Sequence, residues 1–215
     1  MSSLENGPQV RVVASPSSWI EGEALRQLEM VSTLPSMVSC VGMPDLHPGK
    51  GGPVGAAFLS KGIFYPHLVG NDIGCGMGLW ASDVLLTKGK PDRLAARLNR
   101  LDQPLDEDGQ EQRDLLAEHG LPDSFALSLG TPGRGNHFIE IQRLHQVIDG
   151  ESVKALGLKS DRLAVLVHTG SRGLGEVILR RHTERFGAGA LREGSPEAET
   201  YLAHHDHAVA YATLN

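Results

Sequence analysis

The sequence predicts an α+β fold built from mixed β-sheets with flanking helices. Short β-prone segments interrupted by glycine and proline fill residues 38–86. Apolar residues at helical spacing mark 15–34, and residues 161–187 read as a buried strand, a glycine loop and a helix. We expect the 215 residues to form a single domain.

The N-terminal elements follow in order. Residues 10–14 form a short β-rich segment, and 15–34 is predicted as a helix with a serine cap. Its apolar residues lie on one helical face: Ile20, Ala24, Leu25, Leu28 and Val31. Three β-prone pieces then follow within 38–86: "AAFL", "IFYPHLV" and "GLWASDVLL". We expect a compact, mostly β region whose loops carry the functional residues.

The C-terminal elements alternate between helices and glycine loops. Residues 91–100 form a helix with proline in its first turn, and an acidic loop leads into the next helix. The run "FALSLGTPGRGNHFIEIQ" predicts a strand, a glycine loop and a second strand. The last helix begins at a serine–proline pair and stops at Asn215 without a glycine cap or a basic last turn. We therefore expect the chain to be the N-terminal portion of a larger protein, with a frayed terminal helix as the alternative.

Composition and charge exclude several classes of protein. The net charge of −6 argues against a broadly basic nucleic-acid binder, although a local phosphate site remains open. Two cysteines, Cys40 and Cys75, do not make a disulfide framework and suit a reducing cytoplasm. There is no signal pattern at the N-terminus and no apolar run of membrane-spanning length, so we expect a cytoplasmic protein without a membrane partner.

Four glycine-rich loops follow apolar segments and carry candidate ligands. The loops are "MPDLHPGKGGPVG", "GNDIGCGMG", "GTPGRGNHF" and "HTGSRGLG". Between them they present carboxylates, a thiol and imidazoles: Asp45, His47, Asp72, Cys75, His137 and His168. This donor set suits a transition metal rather than calcium or magnesium.

Each of these residues also has a structural interpretation. Asp45 and His47 lie in a proline–glycine turn, where aspartate caps its own backbone. Cys75 taken alone reads as a packed thiol, and each histidine as a hydrogen-bonded structural residue. Their joint occurrence beside glycine loops favours one shared metal site, although no CxxC pair or HExxH signature accompanies them.

Two further groups of residues, the loop arginines and a run of histidines, are candidates for ligand binding. Arg134 and Arg172 lie among the loop glycines, where backbone N–H groups and a guanidinium suit a phosphate. A plain strand-to-helix turn is the alternative for Arg172, and no GxxxxGK[ST] loop is present. The run His204–His207 places two histidines on one helical face, but its alanine-rich surroundings favour ordinary packing.

Two rival classes remain open on the residues alone. "LAVLVHTGSRGLGEVI" is close to the opening of a short-chain dehydrogenase that binds NAD(P). However, few residues follow this segment, and His205 stands where the catalytic lysine would follow Tyr201. The second rival is a non-catalytic binding module with a structural zinc, which leaves the arginine–glycine loops unexplained.

"MPDLHPGKGGPVGAAF", "GNDIGCGM", "GRGNHFIEIQ" and "HTGSRGLG", in this order, resemble the RtcB family of RNA ligases over about residues 38–215. The first of these motifs is more similar to the branch associated with release factor H. The resemblance implies an RtcB-like fold around a central metal cleft, incomplete here at its C-terminus. It also implies a ligase that depends on GTP and Mn²⁺ and joins an RNA 3′-phosphate or 2′,3′-cyclic phosphate to a 5′-hydroxyl, in RNA repair or tRNA splicing.

The resemblance also implies roles for individual residues. Asp72, Cys75, His137 and His168 match metal ligands, with Cys75 able to bridge two ions. Asn136 and Glu140 match nucleotide-pocket residues, Glu140 reading the guanine edge, and Arg172 matches an RNA-phosphate contact. Asp45 matches an acid at the edge of the metal centre. Ligand softness alone would favour Zn²⁺ for a Cys–His site, so Mn²⁺ enters only through the resemblance.

One part of the family pattern lies outside these residues. The histidine that accepts GMP, and a further metal-binding histidine, are expected beyond the segment that matches "AYATLN". We therefore expect no catalytic nucleophile in this chain. The 215 residues should hold most of the metal pocket without being able to guanylylate themselves.

Overall fold

The α+β class is confirmed by the computed structural model, which describes residues 7–101, 103–187 and 189–215. The strands in the described residues are β1 (Gln9–Val12), β2 (Met37–His47), β3 (Val54–Ser60), β4 (Ile63–Phe64), β5 (Gly76–Leu85), β6 (Phe138–Arg143), β7 (Arg162–Thr169) and β8 (Leu191–Arg192). The helices are α1 (Gly22–Ser32), α2 (Pro66–Val69), α3 (Pro91–Leu98), α4 (Gln110–Glu118), α5 (Gly150–Ala155), α6 (Gly173–Phe186) and α7 (Pro196–Leu214). Two 3₁₀ turns cover Leu86–Lys88 and Asp123–Ser128.

The chain divides into two units. The first comprises Met1–Asn71 with Ile178–Ala203, and the second comprises Asp72–Val177 with His204–Asn215. All four residues of the candidate metal set lie in the second unit, whereas Asp45 lies in the first.

The first unit is built on a mixed sheet in the order β1-β2-β3, with β1 parallel and β3 antiparallel to β2. Helix α1 packs on this sheet because its apolar stripe, which includes Leu28 and Val31, is buried against Met37 and Cys40. Cys40 is fully buried, and burial raises the pKa of its thiol. It is therefore a core residue.

Two predicted boundaries in the first unit are wrong. The helix expected from residue 15 begins at Gly22, because Ser18 N–H donates to the Ser15 carbonyl at 3.0 Å and closes a separate turn. The piece "IFYPHLV" is a strand only over Ile63–Phe64. Pro66 then starts the short helix α2, a position that proline favours because it needs no backbone N–H there.

The second unit is built on an antiparallel sheet in the order β5-β7-β6. Directly opposed residues in such a sheet point to the same side. One face therefore carries three rows of side chains: Met77–His168–Phe138, Leu79–Leu166–Glu140 and Ala81–Ala164–Gln142. Strand β7 is antiparallel to both neighbours, which excludes the parallel strand arrangement that a dinucleotide-binding dehydrogenase requires.

The strand predicted at "FALS" is wrong, since Asp123–Ser128 forms a 3₁₀ turn. Its backbone finds partners outside a sheet: the Phe125 carbonyl accepts from the Tyr211 hydroxyl at 2.8 Å, and the Leu129 amide donates to Ala126. The sequence pattern did not separate this buried turn from a buried strand, because both read as short apolar runs.

The strand–loop–helix segment β7–α6 and the terminal helix α7 are confirmed. Ser195 caps α7, since its hydroxyl accepts from the Ala198 amide at 3.2 Å. In the described part of the chain, no helix combines the length and apolarity needed to cross a bilayer.

The last residue is bonded to two loops of the second unit. The Asn215 side-chain oxygen accepts from the Gly130 amide at 2.7 Å, and its Nδ2 donates to the Thr169 hydroxyl at 2.8 Å. The same nitrogen lies 3.3 Å from the carbonyls of Thr131 and Gly170. The Asn215 side chain therefore holds together the loop before β6 and the loop after β7.

Candidate functional site

A cysteine and two histidines converge at one end of the β5-β7-β6 sheet. Cys75 ends the glycine turn that leads into β5, His137 immediately precedes β6, and His168 lies near the end of β7. Their ligand atoms all lie within 4.8 Å of one another. Cys75 Sγ is 3.0 Å from His168 Nε2 and 3.7 Å from His137 Nε2.

Asp72 extends this cluster through His137. Its Oδ2 lies 3.0 Å from His137 Nε2, and the His137 side chain is only 7% exposed. His137 Nδ1 is buried, with no hydrogen-bond partner among the described residues. The nitrogen that faces the cluster is therefore Nε2.

The His168 ring is oriented by the loop before β6. His168 Nδ1 lies 2.9 Å from the Asn136 carbonyl, so Nδ1 carries the proton and donates it to that oxygen. This tautomer leaves the Nε2 lone pair free toward Cys75. Metal-binding histidines are commonly oriented in this way by a second hydrogen bond.

The Cys75 thiol is held in its protonated form without a cation. Burial raises its pKa to about 12, and the neighbouring Asp72 carboxylate adds to the effect. A metal ion would reverse both effects, because it replaces the lost solvation and offsets the carboxylate charge. The donor set of a thiol and two imidazoles beside a carboxylate fits a transition-metal ion.

Gly170 is required where β7 approaches this cluster. A Cβ built on it would lie 2.6 Å from Asp72 Oδ1 and 3.2 Å from the Cys75 Cα. Any larger residue would therefore displace the Asp72 carboxylate. The glycine in "HTGSRG" makes room for the acid and thiol.

Glu140 lies one row along the sheet from His168, on the same face. Rows in an antiparallel strand pair repeat about every 7 Å, the length of two residues. The Glu140 carboxylate is exposed and accepts from Gln142 Nε2 at 2.5 Å. Gln142 in turn borders a cavity of about 240 Å³ on this face, with Leu79 and Leu166 in its lining.

Arg172 and Arg134 lie in the two glycine loops beside the cluster. Arg172 has a left-handed backbone with φ of 56°, and its guanidinium lies directly against the backbone of Gly133. Its buried Nε has no hydrogen-bond partner among the described residues. Arg134 is exposed.

Asp45 lies at an irregularity of β2 in the first unit. The pairing of β2 with β3 shifts register between Gly42 and His47, and the Asp45 carbonyl accepts from His47 Nδ1 at 2.7 Å. Gly55 approaches it so closely that a Cβ there would lie 2.9 Å from Asp45 Oδ1. The Asp45 side chain is exposed.

The run His204–His207 does not form a ligand cluster. His204 and His207 are exposed on α7, and His205 Nδ1 pairs with Asp206 at 3.1 Å. Within the described residues, only Cys75, His137 and His168 bring three ligand atoms together.

Sequence reasoning missed three residues at this site. Gln142 contacts Glu140, Gly170 makes room for Asp72, and Asn215 joins the two flanking loops. Gln142 could have been found, because it alternates with Glu140 on one strand. The Asn215 contacts span 45 to 85 positions of sequence separation, so no local pattern signals them.

Comparison with known proteins identifies the family. The family described as tRNA-splicing ligase RtcB matches residues 27–119 and 106–215. The chain is 48% identical to the RNA-splicing ligase RtcB2 of Escherichia coli over 211 residues, which cover 96% of this chain and 54% of that protein. It is 33% identical to the tRNA-splicing ligase RtcB of Nanoarchaeum equitans, over 77% of this chain and 45% of that protein.

A third relative, the tRNA-splicing ligase RtcB of Archaeoglobus fulgidus, is 31% identical over 74% of this chain and 43% of its own length. The chain thus spans about half the length of the curated relatives it matches. The resemblance seen in the four glycine motifs is confirmed: the chain belongs to the RtcB family of RNA ligases.

Proposed function

We propose that this chain forms the metal-binding part of an RNA ligase dependent on GTP and Mn²⁺. The ligase would join an RNA 3′-phosphate or 2′,3′-cyclic phosphate end to a 5′-hydroxyl end, in RNA repair or tRNA splicing. The observation that carries the proposal is the convergence of Cys75, His137 and His168 within 4.8 Å beside Asp72, in a chain of the RtcB family.

In this proposal Cys75, His137, His168 and Asp72 hold two Mn²⁺ ions, and Zn²⁺ could substitute because thiolate and imidazole also suit it. Bound cations would neutralise phosphate oxygens and stabilise a pyrophosphate leaving group. Cys75 Sγ lies 3.0 Å from His168 Nε2 and 3.7 Å from His137 Nε2, and these distances support the proposal that the thiolate would help to hold both ions.

Glu140 and Asn136 bind the guanine nucleotide in the same proposal. A carboxylate accepts two parallel hydrogen bonds from the N1–H and the amino group of guanine, whereas the adenine edge offers no such donor pair. The exposed Glu140 carboxylate, on the same sheet face as His168, is available for this contact. Asn136 bonds His168 through its carbonyl, so a nucleotide there would be coupled to the metal ligands.

Arg172 binds an RNA phosphate, and Asp45 supplies an acid at the edge of the metal centre. The guanidinium is pinned against Gly133, so it is positioned before a phosphate arrives and little conformational freedom is lost on binding. A local site of this kind is compatible with a net charge of −6, since it does not need an extended basic surface.

The histidine that accepts GMP is expected beyond Asn215 in the family pattern, so this chain alone should not guanylylate itself. We further propose that the protein is cytoplasmic, because its two cysteines suit a reducing compartment. We also propose a functional link to release factor H, because "HPGKGGPVGAAF" resembles that branch of the family.

Three measurements test the proposal. First, the chain should take up Mn²⁺, and Cys75→Ala should lose most of it in elemental analysis; equal metal content in the two proteins would return Cys75 to the packed-thiol interpretation. Second, Mn²⁺-dependent binding should favour GTP over ATP, and Glu140→Gln should reduce that preference; binding of NAD(P) instead would contradict the ligase proposal.

The third measurement is mass spectrometry after incubation with GTP and Mn²⁺. No covalent GMP adduct is expected, and a stable adduct would refute the inactivity of the isolated chain. A chimera of residues 1–215 with the remaining length of the E. coli relative should ligate RNA ends. The same chimera with Cys75→Ala should not.

A further inference from the structure

A second cavity lies in the first unit. It encloses about 260 Å³ between helix α1 and the glycine loop that joins β2 to β3. Met30 and Leu34 form an apolar wall, and the opposite wall is formed by Lys50, Gly51, Gly52 and His67. No carboxylate lines it in the described part of the chain.

The loop that borders the cavity is held in place by Gln27. Gln27 Nε2 donates to the Gly49 carbonyl at 3.1 Å, and the Gly49 amide donates to Gln27 Oε1 at 3.0 Å. A Cβ on Gly49 would lie 2.3 Å from the Gly52 carbonyl oxygen, and a Cβ on Gly52 would lie 2.9 Å from Leu68. The loop can therefore take this close course only with glycine at position 49, whereas at Gly52 the end of the Leu68 side chain could move aside.

Beyond this anchor, three successive backbone amides have no partner in the part of the chain that the structure describes. The N–H groups of Lys50, Gly51 and Gly52 make no hydrogen bond to any described residue. Unpaired backbone amides can donate to an anion, and the Lys50 ammonium adds a positive charge beside them.

His67 adds a further donor to the same wall. Its Nδ1 is buried without a partner in the described structure, so Nε2 is the nitrogen that can reach a ligand in the cavity. A buried N–H group without a hydrogen-bond partner is rarer than a buried acceptor without one. The neutral His67 ring therefore carries its proton on Nε2 and leaves the buried Nδ1 as the acceptor. The carbonyls of Met30 and Val31 at the end of α1 already accept from Thr33 and Leu34, so they do not compete for these donors.

We infer that this cavity binds a phosphate group, held by the amides of Lys50, Gly51 and Gly52, the Lys50 ammonium and His67 Nε2–H. The phosphate could be a free ion or a backbone phosphate of an RNA strand, whose ribose and base would contact Met30 and Leu34. The inference does not depend on the metal cluster or on ligase activity, because all its residues belong to the first unit.

The test is an NMR titration of the full chain with inorganic phosphate in metal-free buffer. The amide resonances of Lys50, Gly51 and Gly52 should shift and saturate, and Lys50→Met should weaken this binding about tenfold, the loss expected for a hydrogen bond to a charged group. Lys61→Met is the matched control, since Lys61 is exposed in the same unit and does not line the cavity.

Two results of this titration would overturn the inference. Loop amides that do not respond to phosphate would overturn the inference. Equal weakening by Lys50→Met and Lys61→Met would also overturn it, because only overall charge would then matter. A parallel titration with a short 5′-hydroxyl oligoribonucleotide distinguishes the source: a response at lower concentration than phosphate identifies RNA, and a response to phosphate alone identifies the free ion.

Discussion

Gly170→Ala should disable the metal cluster without removing any of its ligands. The new methyl carbon would lie 2.6 Å from Asp72 Oδ1, which is 0.8 Å inside the 3.4 Å at which ordinary contact begins. If the carboxylate retreats by that distance from the methyl group, its 3.0 Å contact with His137 Nε2 lengthens to as much as about 3.8 Å and ceases to be a hydrogen bond.

The expected effect has two parts. Overpacking at a filled position lowers the free energy of unfolding by about 1–3 kcal/mol. Displacement of the Asp72 carboxylate, itself a proposed ligand, should weaken metal binding about 10- to 100-fold, the range for lost groups around a metal site. Mn²⁺ affinity measured by titration with EPR detection, together with the thermal unfolding midpoint, would report the two parts separately.

Gly150→Ala is the matched control for this substitution. A Cβ at Gly150 meets nothing within 4 Å, and the residue begins helix α5, where alanine is favoured. This control should bind Mn²⁺ like the unchanged chain and be no less stable. If Gly170→Ala also keeps full Mn²⁺ affinity, the position of the Asp72 carboxylate does not matter for metal binding and its proposed role is refuted.

Three further predictions concern single side chains. Cys75→Ala should lower Mn²⁺ affinity at least about tenfold, while Cys40→Ala should reduce only stability, because Cys40 is buried in the first unit. Isothermal titration would report the metal affinity of each variant and urea unfolding its stability, and an equal loss of metal affinity in both would contradict a specific role for Cys75. Asn215→Ala should lower the free energy of unfolding by about 2–3 kcal/mol in urea, since it removes two short hydrogen bonds and two longer ones, against less than about 0.5 kcal/mol for the exposed Thr213→Ala. Burial lowers the pKa of His182. Below about pH 6.5 the unfolded chain therefore takes up a proton at this residue that the folded chain does not bind, so the free energy of unfolding should be highest above about pH 6.5 and fall below it. His182→Phe should flatten that acid dependence in urea unfolding measured across pH, and an unchanged slope would rule out this residue as its cause.

The sequence predicted more of the candidate site than of the fold around it. Four loops were identified from glycines following apolar runs, and three of their side chains, Cys75, His137 and His168, meet in space. Residue type and position suffice for this step, because metal ligands must come from a small chemical set. Their mutual distances could not be predicted, since they depend on how β5 and β6 pair with β7.

Errors in the prediction of the fold had both tertiary and local causes. Phe125 looked like part of a strand, but its carbonyl pairs with Tyr211, 86 residues later. Residues 15–21 looked helical because a serine preceded an apolar pattern, yet Ser15 closes a turn of its own. The helix end at Asn215 looked uncapped because its side-chain partners lie 45 to 85 residues earlier in the chain.

Because side chains alternate between the two faces of β6, the site depends on whether a residue stands at an odd or an even position of that strand, and not only on its identity. Phe138 and Glu140 lie on the His168 face, and Ile139 and Ile141 lie on the opposite one. Deleting one residue within β6 would exchange these sets, placing isoleucines where the carboxylate stands while leaving composition almost unchanged. Laboratory evolution of this protein should therefore accept insertions in the 144–161 connection far more readily than a single-codon deletion inside 138–143.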